Sequence, residues 1–206
     1  LQRAGRKAEA REAISQALRY RPADVDLLLA RGTLLEQMDD LPAALADLRQ
    51  AVDLAPDGAL ALNAYGYTLA NRTSRLAEAH HLLGLCLKAQ GLRRDALRAF
   101  EDAARLSPNL AAPREEAARL YQAEGRTREA IGQLEALASL EPERPERQAA
   151  LALAHARSGR ADTAIRVLGR AAERYPDNAV IYLALGRVGL ESAEPRRDRF
   201  GLRKAL

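Results

Sequence analysis

The sequence is short of several things a folded chain can lean on. It has one cysteine among 206 residues, so Cys86 has no partner for an internal bridge and a disulfide framework is excluded. It has no tryptophan, six tyrosines and two phenylalanines, too few for an aromatic core or for the stacking platforms that grip single-stranded nucleic acid. Only Lys7, Lys88 and Lys204 are lysines, so nearly all of the 32 basic residues are arginine. These are interleaved with 28 acids, as in Glu101, Asp102 and Arg105 or Arg114, Glu115 and Glu116, which describes solvated helix faces with local ion pairs. The net charge of +4 is modest, and the one dense basic stretch, Arg196 to Lys204, sits at the end of the chain. Apolar runs stop well short of the roughly 18 to 20 residues that a bilayer-spanning helix needs, and no basic-then-apolar signal segment opens the chain at Leu1. No membrane span is expected, and the compartment, cytoplasm or bacterial cell envelope, stays open.

What the chain does have is a period. Prolines stand at Pro22, Pro56, Pro108, Pro142 and Pro176, with gaps of 34, 52, 34 and 34 residues. Fixed spacing of this kind marks a repeat array. Ala10, Ala44, Ala96, Ala130 and Ala164 each precede a proline by twelve residues. Ala17, Ala51, Ala103, Leu137 and Ala171 form a second column, Gly32, Gly66, Gly84, Ala118, Ala152 and Gly186 a third, and Gly5, Asp39, Gly91, Gly125 and Gly159 a fourth at the mid-repeat bend.

Apolar residues between the bends recur at helical spacing, as in Leu97, Phe100 and Ala104, so each repeat is expected to be two antiparallel helices. Glycine at the bend suits a left-handed residue closing the first helix. The small columns let the two helices approach, and proline ends the second. Pro42, Pro113, Pro145 and Pro195 fall where helices should begin, a position at which the missing N–H costs nothing.

These residues resemble the tetratricopeptide repeat family. The clearest copy is His80, Leu83-Gly84, Leu87, Gly91, Ala96, Phe100, Ala103 and Pro108; similar copies run from Leu28 to Pro56 and from Gln148 to Pro176. The chain departs from the family in placing Leu, His or Gln where an aromatic is usual. The resemblance implies an all-α fold, a right-handed α-solenoid of stacked antiparallel helix pairs.

The expected units of a single 1–206 array are 1–24 (a second helix only), 25–58, 59–76, 77–110, 111–144, 145–178 and 179–206. The 59–76 unit holds 18 residues, 16 short of the period, and has a first helix over 60–71 but no second. Two readings account for the gap. One is a true deletion, with a long helix or local rearrangement near 72–80; the other, preferred, is a segment near 71–79 lacking from the sequence as it stands. Either leaves an apolar stripe without its partner. Ile14, Ala17 and Leu18 at one end, and Phe200, Leu202 and Leu206 at the other, are also expected to lack cover, so self-association through uncapped ends is expected.

Chemistry finds little foothold. His80 and His81 are adjacent, about 100° apart on a helix, and cannot make the i, i+4 pair of a zinc protease. His155 stands in a column otherwise held by Leu35 and Tyr121, Cys86 sits among apolar residues, and no phosphate-cradling loop or nucleophile elbow occurs. Asn71-Arg72-Thr73 matches a glycosylation sequon, a tripeptide common by chance. No catalytic residue, metal site or cofactor is expected, and the chain is not expected to be an enzyme.

The resemblance places the binding surface on first helices, which line the inner face of such arrays and meet a peptide or partner protein. The lining positions are Thr33, Asn63, Tyr67, Asn71, His81, Lys88, Glu115, Arg119, Gln122, Arg157 and Arg187, beside Leu29, Glu36, Leu85, Leu153 and Leu183. Chaperone-tail members grip a peptide carboxylate with Lys, Asn, Asn, Lys and Arg over three units; no three units here carry that set. The expected function is a non-catalytic interaction scaffold. The alternative is a recruiting or regulatory arm of a larger enzyme or of a secretion or assembly complex, with nucleic-acid binding third. The Ala, Leu and Arg bias suggests a bacterial source.

Overall fold

The computed structural model describes residues 2–193, with side chains from 5 to 190. Eleven α-helices and no strand occur among the described residues. They are α1 (Gln2–Tyr20), α2 (Val25–Gln37), α3 (Leu41–Leu54), α4 (Ala59–Arg72), α5 (Leu76–Ala89), α6 (Arg93–Leu106), α7 (Ala111–Ala123), α8 (Thr127–Leu140), α9 (Pro145–Arg157), α10 (Ala161–Arg174) and α11 (Ala179–Ala193). The chain forms two compact units, Leu1–Pro113 and Arg114–Leu206. Pro195, Phe200, Leu202, Lys204 and Leu206 lie outside the described residues.

Local chemistry sets the helix ends. Asp24 accepts from Leu27 N at 3.1 Å and Asp40 from Ala43 N at 3.4 Å, satisfying orphan donors at the starts of α2 and α3. Asn178 does the same for Val180 and Ile181 at the start of α11. Pro42 and Pro145 sit in the first turns of α3 and α9. At the bends Gly91, Gly125 and Gly159 take φ of +78°, +71° and +80°, and Asp39 takes the same left-handed conformation at 64°. A backbone bond from the next residue then reaches five positions back, Leu92 N to Leu87 O for instance, which closes the first helix. Gly5 differs: it lies inside α1 rather than at a bend. A glycine within a helix costs only about 1 kcal/mol, and the other bends are imposed by two helices folding onto each other.

In the Leu1–Pro113 unit, α2 pairs with α3, α4 packs on both, and α1 packs on α2. The column residues Ala44, Leu48, Ala51 and Leu28 are buried at these interfaces. One tie is ionic. Arg31 Nε and Nη2 donate to the Asp47 carboxylate, both at 2.7 Å, and Arg31 Nη1 donates to Ser15 Oγ at 3.3 Å, joining α1, α2 and α3. Within the Arg114–Leu206 unit, α9 packs on α8 and α10, and α11 lies on both α9 and α10 through Ile181, Ala184 and Val188.

The phase gap is bridged by a rearranged turn. Thr73 Oγ1 donates to Leu69 O at 2.7 Å and accepts from Arg75 N at 3.0 Å, so one hydroxyl ends α4 and leads the chain into α5. Helix α5 then serves two pairs. A Cβ on Gly66 of α4 would lie 3.3 Å from Leu82, as one on Gly32 would meet Leu48 and one on Gly84 would meet Phe100. Each partner stands sixteen positions downstream of its glycine. Helix α5 therefore acts as second helix to α4 through Ala79, Leu82 and Cys86, and as first helix to α6 through Gly84. It can do so because it is apolar on more than one face. The stripe of α4 (Leu62, Tyr65, Leu69), expected to be left without a partner, is buried by this arrangement.

Candidate functional site

On the first-helix side of the Leu1–Pro113 unit, Leu29, Ala30 and Thr33 of α2, Leu60 and Ala64 of α4, and Ile14 of α1 line an open hollow of about 650 Å³. Leu60 is 76% exposed at this hollow. Arg6 and Lys7 border its edge beside Leu34 and Gln37, and Lys7 donates to Gln37 O at 3.2 Å. Glu36 is partly committed, accepting from Thr68 at 3.4 Å.

The other expected residues of this unit lie elsewhere. Asn63 and Tyr67 line a second groove, between α4 and α5, and their neighbour there is His80. His81 instead stands against Phe100, ring centroids 5.7 Å apart, since successive residues of a helix point about 100° apart. Asn71 is exposed at the end of α4, and Lys88 is half-buried in the last turn of α5.

In the second unit Glu115 and Arg119 are held in an ion network. Arg119 donates to Glu115 at 2.5 Å and to Glu116 at 2.8 Å, while Arg147 from α9 donates to Glu115 at 2.9 Å and to Glu141 at 2.5 Å. The Arg147 hydrogen bond holds the Glu141 carboxyl below the usual range. Gln122, Arg157 and Arg187 are exposed on α7, α9 and α11. Neither Arg157 nor Arg187 has an ion pair among the described residues.

His155 is buried, with Nδ1 lacking a hydrogen-bond partner. Burial, reinforced by Arg160, pushes its imidazole below the ordinary histidine value; Glu135, 4.0 Å away, opposes this. A histidine neutral in the folded unit and protonatable once unfolded gives stability that is present above the unfolded value of about 6.5 and lost as pH falls through that value toward the folded one. Between pH 7.5 and 5.5 the urea midpoint of the wild type should fall more than that of His155→Leu; equal shifts would refute a proton-linked role.

Sequence reasoning missed the Arg31–Asp47 pair and His80. The first had a signal: Asp47 lies sixteen positions after Arg31, the offset that joins Gly32 to Leu48. Among the described residues no three His, Cys, Asp or Glu side chains gather as metal ligands, and no helix is long and apolar enough to cross a membrane.

Stacked antiparallel helix pairs with exposed apolar first-helix faces define the chain as a helical-repeat protein, of a class that generally serves as protein–protein interaction scaffolds without catalysis. It belongs to the tetratricopeptide repeat family, whose profiles match residues 1–59, 29–80, 77–110 and 145–188. An 84-residue stretch is 45% identical to the TPR repeat-containing protein PA4667 of Pseudomonas aeruginosa, covering 41% of this chain and 14% of that protein. The bacterial composition fits that relative. Among solved structures, PilW, a type IV pilus biogenesis factor, is 19% identical with a TM-score of 0.50, covering 89% of this chain and 93% of its own. YrrB, a TPR protein with an unusual peptide-binding site, is 20% identical with a TM-score of 0.49 over 85% of this chain and 99% of its own. At 19% identity the likeness to PilW is one of fold.

Proposed function

We propose that the protein is a non-catalytic scaffold that binds a peptide or partner protein on its first-helix faces, and that the repeat units read from the sequence form its binding array. The observation that carries this is the open hollow walled by Leu29, Thr33 and Leu60, with Arg6 and Lys7 at one edge. Apolar walls supply affinity through burial, about 25 cal/mol per Å², and Arg6 and Lys7 at the edge, set against the single acid Asp26 of the lining, favour a segment with a carboxylate beside its apolar residues. Asn71 of the same unit, and Gln122, Arg157 and Arg187 of the second, are further contact positions in this reading. Glu115 and Arg119 would have to give up ion pairs to take part. The same surface would serve a recruiting arm of a larger assembly.

A random peptide library panned against the chain tests the proposal. Enriched peptides should carry apolar residues next to an acid, and should lose binding to Leu60→Glu and Thr33→Arg while still binding Ile165→Glu on α10. Peptides that bind all three variants equally would refute the site. Nucleic-acid binding, by contrast, requires affinity that falls steeply with salt.

A further inference from the structure

In each compact unit a helix pair is covered by the helix that follows it. Helix α4 lies on both α2 and α3, and α11 on both α9 and α10. The α4–α5 pair has no such cover within its unit, because α6 packs on α5 and makes no contact with α4. What stays open is a groove of about 200 Å³ between Asn63, Tyr67 and Ala70 on α4 and Leu76, His80 and Leu83 on α5. Exposure measures the shortfall: Leu83 is 44% exposed, while Tyr65 and Leu151 in the same repeat column are 7% and 8% exposed.

We infer that this groove receives an α-helix from a partner protein, neutral and aliphatic along the stripe it inserts. The inference rests on the scaffold reading above but concerns a different surface. The groove continues an interface the fold already uses: Leu62 and Ala79 line it and also belong to the buried cluster that joins α3, α4 and α5. No Asp, Glu, Lys or Arg lines it, and nearby Arg72 and Arg75 are paired with Asp39 and Glu78. A charged stripe would therefore be desolvated without compensation.

An extended segment fits less well than a helix. Its backbone N–H and C=O groups would face walls whose polar side chains are Asn63, Tyr67 and His80 alone, whereas a helix satisfies its own. The stripe is specified by the helix that does this work within the chain, where Ile181, Ala184 and Val188 cover α9 and α10.

The test uses the whole chain and a fluorescent helix-forming peptide of about 14 residues, the length of α4 and α5. The peptide carries Ile, Ala and Val at the spacing of 181, 184 and 188 on a Glu/Lys background. Anisotropy should show saturable binding, weakened roughly tenfold or more by Leu83→Glu and by Ala70→Arg, and unchanged by Leu60→Glu. A central proline in the peptide should abolish it. The two variants lie on exposed positions, and circular dichroism checks that they fold. No saturable binding, equal binding of the proline peptide, or indifference to Leu83→Glu would each overturn the inference. So would a concentration-dependent dimer that Leu83→Glu dissociates, since the occupant would then be a second copy. Loss of library peptides with Leu60→Glu but not with Leu83→Glu keeps the two surfaces distinct.

Discussion

Asp47→Ala should destabilise the protein by about 3 kcal/mol, the lower end of the cost of breaking a buried ion pair. Asp47 is buried and its carboxylate accepts two guanidinium hydrogen bonds of 2.7 Å from Arg31, so its removal leaves the partly buried Arg31 charge with Ser15 Oγ as its remaining hydrogen-bond partner. Arg31→Leu should cost a similar amount for the mirrored reason, since a buried carboxylate then loses its donors. Replacing both partners should cost far less than either single change, because desolvation is no longer owed on either side. The array itself contains the replacement. In the corresponding columns Leu151 is paired with Val167, and Leu83 with Ala99.

Arg31→Leu with Asp47→Val should accordingly return the urea midpoint close to wild type, so that the coupling energy, measured against Arg31→Leu and Asp47→Val singly, approaches the sum of the two single losses, about 5 to 6 kcal/mol. If the two single losses simply add, Arg31 and Asp47 do not act as a pair, and the ionic tie between α2 and α3 is refuted.

This pair shows which parts of the molecule were legible in the sequence. Helix boundaries and pairing were, because they rest on local chemistry: Pro42 and Pro145 at helix starts, Gly91, Gly125 and Gly159 at left-handed bends, and Asp39 as the tolerated substitute. Each of these residues restricts its own backbone whatever surrounds it. Gly5 shares the column but not the constraint, since no pair of helices folds back there, and the helix runs through it.

The dual use of α5 was not legible. Its residues match a first helix by column, and their service as a second helix to α4 appears only when Leu82 is found against Gly66. That pairing turns His80 toward Asn63 and Tyr67 and leaves His81 on Phe100, exchanging the two histidines relative to the column reading. Most of the candidate surface was legible as helix faces, Thr33 and Tyr67 among them. The depth of each groove was not, because it depends on which neighbouring helix is absent rather than on which residues are present.

The closest helix approach predicts the other large effect. A Cβ added to Gly84 would lie 2.5 Å from one atom of the Phe100 ring and 2.6 Å from the next, and the ring is fully buried and cannot swing aside. Gly84→Ala should therefore destabilise by about 2 kcal/mol despite the gain in helix propensity. Gly169, inside α10 with open space where its Cβ would be, should show the opposite sign, with Gly169→Ala stabilising by about 0.5 to 1 kcal/mol.

The repeats also show how the clash is relieved. Where the second-helix column holds Leu134 or Leu168, the first-helix column holds Ala118 or Ala152, and glycine meets the bulkier phenylalanine only at Gly84 and Phe100. Phe100→Leu alone should cost about 1 to 2 kcal/mol by opening space beneath Gly84. Combined with Gly84→Ala it rebuilds the Ala–Leu pairing of the sister repeats and should recover most of both losses. Urea denaturation of the four proteins in this cycle should give a favourable coupling of at least about 1 kcal/mol. Simple additivity would mean that α5 and α6 can separate without loss, and the close packing of α5 against its second partner would then be refuted.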